Sequence, residues 1–166
     1  DILAHPEYEM NDRLLLDKLD LERGALKIGG QEYPLKDTNF PTIDPTAPYA
    51  LSPEEAKVIE GLVSSFVNCE KLQRHIEFIY KKGSMYKYYN NCLMFHGCIP
   101  MEKDGSFTTL NVYGDVCSGK SLFDCCERLA RKGRYGEEGS EERRRGCDFM
   151  WYLWCGAKSP LFGKDK

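Results

Sequence analysis

The sequence has no apolar run approaching the roughly 18 residues that a membrane-spanning helix needs, and its N-terminus lacks the basic-then-apolar shape of a signal peptide. Charge of one sign is missing too. The 23 basic residues are set against 26 acidic ones, for a formal charge of −3, so no field selects nucleic acid as a partner. Histidine is scarce, with 3 in 166 residues, which confines any imidazole chemistry to His5, His75 and His96. The 8 cysteines are many, yet none stands in a C-x-x-C pair, which excludes a zinc knuckle or dithiol redox motif. Most read as small buried hydrophobes, with Cys69 in an amphipathic run, Cys92 in a core strand and Cys155 in an aromatic run; a disulfide framework is not the expectation. At 42% hydrophobic and 30% charged, the composition is that of a soluble globular chain. No nucleic acid, no membrane and a cytoplasmic location are expected. The chain starts on Asp1 and closes on "FGKDK", which reads as a piece of something longer.

Turn and cap signals divide the chain. "YEMNDRLLLDKLDLERG" predicts a short helix ending before Gly24. "ALKIGGQEYPL" predicts a hairpin turning on Gly29-Gly30. Pro41, Pro45 and Pro48 make the next stretch an extended connection. Ser52, Pro53 and Glu55 spell a capping box that opens a helix of about thirty residues, long enough to suggest a break near Asn68-Cys69. His75 lies near its apolar stripe and reads as packing or surface. Farther on, "FTTLNVY" is expected to pair back on the strand before His96 through a turn at Asp104-Gly105. "KSLFDCCERLARKG" predicts an amphipathic helix and "CDFMWYLWCG" an aromatic helix too apolar to be exposed, and "EEGSEERRR" reads as a solvated loop and helix start.

Two stretches carry chemistry. In "NNCLMFHGCIP", Cys92-Leu93-Met94-Phe95 reads as a short buried strand. His96 stands where that strand leaves the core, and Gly97 removes a side chain that would crowd whatever approaches the imidazole. The residues alone leave open a histidine that only caps the strand end. Residues 114 to 121, "GDVCSGKS", match the phosphate-loop pattern letter for letter, and a nucleotide site would depend on Lys120. Against it, Thr108, Thr109 and Asn111 make the preceding strand half-exposed, and no second strand ends on a magnesium-binding aspartate. The alternative is a turn at Gly114-Asp115 and a helix beginning near Ser118.

"LMFHGCIPMEKDGSF", "SSFVNCEKLQRHIEFIYKKGSMY", "DFMWYLWCGAKSPLFGKDK" and "DTNFPTIDPTAPYALSPEE" together resemble the class III fructose-1,6-bisphosphatases of bacteria over nearly the whole chain. That family is similar to the calcineurin-like metallophosphoesterases. The resemblance implies an α+β fragment, helices plus hairpins, of an α/β metallophosphoesterase fold in which two packed sheets are flanked by helices. Residues 1–50 would be a cap of helix, hairpin and Pro-rich connection, and residues 51–166 the long helix with part of the core. It further implies a gluconeogenic phosphatase that removes the 1-phosphate of fructose 1,6-bisphosphate by two-metal activation of water, with Mn²⁺ as the metal and His96 as a ligand. Lys158 and Ser159 in "CGAKSPLFGK" could face the phosphate, with a solvated loop as the alternative. The chain departs from the superfamily in lacking the D-x-H, G-D-x-x-D-R-G, G-N-H-[DE] and G-H segments that supply the remaining ligands. One histidine cannot hold two ions, so the segment alone is expected to be inactive. A non-catalytic reading stands beside this one: residues 1 to 90 cover the site or form a subunit contact, with homo-oligomer formation left open.

Overall fold

The computed structural model describes residues 4–162, which form a small α+β structure with four α-helices and three small antiparallel sheets. The chain divides into two compact units, one of Asn11–His75 and one that joins the residues up to Met10 with those from Ile76 onward.

In the Asn11–His75 unit, 3-10 turns lead into a sheet ordered β1-β2-β3: β1 (Leu19–Asp20), β2 (Ala25–Ile28) and β3 (Gln31–Pro34). The helix expected over the leucine-rich stretch is not there. Leu14, Leu15 and Leu16 are consecutive and point around a helix rather than along one stripe. The Arg23 amide instead donates to the Asp20 carboxylate at 3.0 Å, and the turn closes on Gly24 at φ +61°. The Gly29-Gly30 hairpin forms as expected, with φ +56° and +81° and Ile28 opposite Gln31. Ser52 and Glu55 cap α1 (Pro53–Val67) reciprocally, the Glu55 amide donating to Ser52 Oγ at 3.2 Å and the Ser52 amide to Glu55 Oε2 at 2.8 Å. The expected break falls at Asn68-Cys69, where the Asn68 side-chain amide donates to the Ser64 carbonyl at 2.9 Å. α2 (Glu70–Lys82) follows and contains the boundary between the units.

The second unit holds the core. α3 (Gly119–Tyr135) contributes Leu122, Cys125, Cys126 and Leu129, and α4 (Glu141–Cys155) contributes Phe149, Tyr152 and Leu153. Leu110 and Val112 of β6 (Leu110–Val112), Cys117 of β7 (Asp115–Cys117), and Tyr8 and Met10 from the N-terminal segment complete it. Each such side chain contributes about 1.5–3 kcal/mol by leaving water.

Several expectations are corrected here. The strand before His96, β5 (Cys92–Phe95), is exposed along its whole length rather than buried. Among the described residues it pairs only with β4 (Tyr86–Tyr89), in a two-stranded ribbon. Phe95 and Tyr86 do touch Phe123 of α3, at ring separations of 5.9 and 6.0 Å. The segment "FTTLNVY" does not pair with β5. Asn90-Asn91 (φ +47° and +60°) and Tyr113-Gly114 (φ +52° and +95°) each supply two successive positive-φ residues, which close tight hairpins locally. β4 is thereby paired with β5, and β6 with β7. Of the "MEKDGSF" hairpin, the Gly105 turn at φ +86° and a single Met101–Phe107 bridge form. The aromatic helix is amphipathic, with Phe149, Tyr152 and Leu153 buried while Met150 and Trp154, four residues apart on another face, are 40% and 75% exposed. All eight cysteines are free thiols. Cys117, Cys125 and Cys126 are buried, whereas Cys69, at the helix break, and Cys92, on the ribbon, are exposed.

Candidate functional site

His96 occupies the bend that directly follows β5, with its residue exposed. The position at a strand exit is the one the sequence predicted. Gly97 has φ +85°, and a Cβ built there would lie 2.1 Å from the Pro160 carbonyl oxygen. The glycine is therefore required by backbone approach as well as by φ, and the space beside His96 on that side is filled by residues 160–161 rather than left open. The Cys98 amide donates to the Pro160 carbonyl at 2.9 Å. The loop after β5 is thus fastened to the loop after α4, and the His96 bend comes into contact with the segment carrying Lys158 and Ser159.

Those two residues differ. Ser159 is 1% exposed; its hydroxyl donates to the Leu153 carbonyl at 2.6 Å and accepts from the Leu161 amide at 3.2 Å. It satisfies an otherwise orphaned carbonyl at the end of α4, so this part of the loop is buried rather than solvated. Lys158 keeps 42% of its side chain exposed and reaches the Glu9 carboxylate at 3.5 Å.

The phosphate-loop match does not form a phosphate cradle. Such a cradle needs unpaired backbone amides in a loop, but residues 115–117 are strand β7, in register with β6 from Leu110–Cys117 to Val112–Asp115. Helix α3 begins at Gly119 behind Ser118, whose amide donates to Ser121 Oγ at 3.0 Å. Lys120 is engaged by Asp124 at 2.5 Å and lies over the Tyr86 ring at 5.5 Å. The Asp124 contact first, then Tyr86, pushes its ammonium pKa up to about 12. Asp115 is paired with Arg128 at 2.6 Å. The turn and helix start at Gly114–Ser118 are the whole content of the motif, and the nucleotide-binding alternative is set aside.

Among the described residues no group of three or more His, Cys, Asp or Glu side chains is arranged to hold a metal ion. His75 is exposed on α2. His5 stands between Glu7 (3.0 Å) and Asp148 (3.2 Å) and stacks on Tyr8 at 4.8 Å. Local reading of the sequence missed this cluster, because 143 positions separate His5 from Asp148. Two of the buried thiols are held protonated: desolvation, then a hydrogen bond with Cys117, pushes Cys125 up to about 11, and desolvation raises Cys126 further. Protonated, buried thiols are poor nucleophiles and poor ligands.

The sequence model of the Firmicute fructose-1,6-bisphosphatases matches residues 2–166. The chain belongs to that family. A class 3 fructose-1,6-bisphosphatase of Clostridium novyi is 51% identical over 163 residues, covering 98% of this chain and 24% of the relative. One from Clostridium botulinum (strain Alaska E43) is 50% identical over 97% of this chain and 24% of its own length. One from Clostridium tetani is 50% identical over 99% of this chain and 25% of its own length. The chain therefore spans about a quarter of the length of the curated fructose-1,6-bisphosphatases it matches. No solved structure matches it.

Proposed function

We propose that this chain is a segment of a longer class 3 fructose-1,6-bisphosphatase, a soluble, cytoplasmic, metal-dependent phosphoric monoester hydrolase that removes the 1-phosphate of fructose 1,6-bisphosphate in gluconeogenesis. The observation that carries this reading is the identity of about 50% sustained over 97–99% of the chain. No helix of the described residues is long and apolar enough to cross a membrane. The fold proposed for the whole enzyme is the two-sheet metallophosphoesterase architecture. β5 would be one of its inner strands: "CLMF" is apolar on both faces, the pattern of a strand covered on both sides, and among the described residues its one strand neighbour is β4.

His96 is the residue this segment would contribute to a two-manganese site. An exposed imidazole at a strand end suits an ion of that class as one donor among carboxylates. The remaining donors would come from outside residues 4–162, so the isolated segment is expected to be inactive. When bound, the two ions supply Lewis-acid neutralisation of phosphate charge and activation of the attacking water. The task of this chain's own residues is to hold the imidazole: β4–β5 carries it, and the Cys98–Pro160 bond fixes the bend behind it. Lys158 is the substrate-facing cation of the adjoining loop, where its ammonium would oppose a phosphate; Ser159 supports that loop from inside.

The test is His96→Ala in the full-length enzyme. Manganese content, read by elemental mass spectrometry, should fall, and turnover should drop by at least about 100-fold, with circular dichroism unchanged. Normal metal content and turnover in a folded variant would refute the assignment.

A further inference from the structure

Helix α1 has no buried residue. Its sequence nevertheless lays Val58, Leu62 and Phe66 on one i, i+4 row and Ile59, Val63 and Val67 on the row beside it. The six side chains form a single apolar face, and each is between 48% and 64% exposed. Glu54, Lys57, Glu60 and Ser64 fall on the opposite side of the helix. Helices in proteins are held chiefly by packing such a face, and a contiguous exposed apolar patch marks an interaction site.

We propose that this face is the seat of a further stretch of the same polypeptide, an amphipathic segment from outside residues 1–166. The occupant follows from two observations. The matched relatives are about four times as long as the region of similarity, which covers 24–25% of them, so most of the polypeptide available to cover the face lies outside this chain. A lipid surface is disfavoured by charge, because the polar side of α1 carries two glutamates and one lysine, whereas interfacial helices carry Lys and Arg there. A second copy is told apart from a flanking segment by dilution, which releases only the former. The proposal rests on the reading that the chain is a segment, and is independent of the phosphatase chemistry.

Maleimide labelling of the full-length polypeptide, carrying either Val63→Cys or Lys57→Cys and read peptide by peptide by mass spectrometry, decides it. Position 63 should label at least about twenty-fold more slowly than position 57, and the protection should persist on dilution from about 10 μM to about 10 nM. Hydroxyl-radical footprinting of the unaltered protein reads the same face without a substitution, and Phe66 should be protected from oxidation. Comparable labelling at the two positions, or an oxidised Phe66, would overturn the proposal. Protection that disappears on dilution would also overturn it, in favour of a second copy. A natural polypeptide of only 19.1 kDa would instead remove the segment reading itself, so the two failures are distinguishable.

Discussion

Gly97 is under two constraints at once, a φ of +85° and a Pro160 carbonyl where its Cβ would be. Gly105 has nearly the same φ, +86°, but open space around it. The pair separates conformational cost from steric cost. Gly105→Ala should lower stability by about 1 kcal/mol, whereas Gly97→Ala should cost about 3 kcal/mol or more, measured as shifts of the urea midpoint. Equal costs would mean that the residue 160 contact is not rigid. At Ser159, removing the hydroxyl strands the Leu153 carbonyl in a buried position. Ser159→Ala in the full-length enzyme should lose about 1–2 kcal/mol and leave KM unchanged, and a raised KM at unchanged stability would return Ser159 to the substrate side. His96 was legible as a residue because its signals are local: an apolar run, a histidine, a glycine, a proline. The reason for Gly97 was not, because the group that demands it lies more than sixty positions away.

At the scale of elements, α3 and α4 cross at two glycines. A Cβ on Gly146 would meet the Gly133 amide nitrogen at 2.3 Å and the Leu129 carbonyl at 2.6 Å, and one on Gly133 would meet Gly146 at 2.8 Å. Alanine ordinarily stabilises a helix by about 1 kcal/mol over glycine. Here Gly146→Ala should instead destabilise by about 2–4 kcal/mol, since backbone and not a flexible side chain is in the way; a stabilised variant would show that the crossing is looser than described. At the start of α1, the Thr42 hydroxyl and then the Ser52 amide hold the Glu55 carboxyl below the usual range. A lowered folded pKa means that the cap contributes fully above the ordinary glutamate value and is lost as pH falls through the folded one. Exchange protection at the Glu55 and Ala56 amides should therefore decline between about pH 6 and about pH 3, and constant protection would contradict the cap's role. Caps and Gly-Gly turns were readable because their chemistry is contained in a few residues. Strand pairing was misread because Asn90-Asn91 and Tyr113-Gly114 are turns set by positive φ. Tyr113 is a bulky residue without a turn signature, and its hydroxyl is held by Tyr8 at 2.5 Å and by the Arg145 carbonyl at 3.1 Å.

At the scale of the molecule, α3, α4, β6, β7 and the N-terminal segment form one well-packed core, whereas α1 and the β4–β5 ribbon carry exposed apolar side chains. The expected burial of "CLMF" failed for the same reason that the site could be read only in part. On the proposed reading both depend on neighbours outside residues 4–162, while the family was legible from motif order along the chain. The most direct measurement is the mass of the natural polypeptide, obtained by digesting a size-resolved lysate of the source cells and locating the peptides that flank "NNCLMFHGCIP". The account predicts that they migrate far above 19.1 kDa, in a fraction that hydrolyses fructose 1,6-bisphosphate. Migration at 19.1 kDa would contradict it and leave a binding or regulatory module.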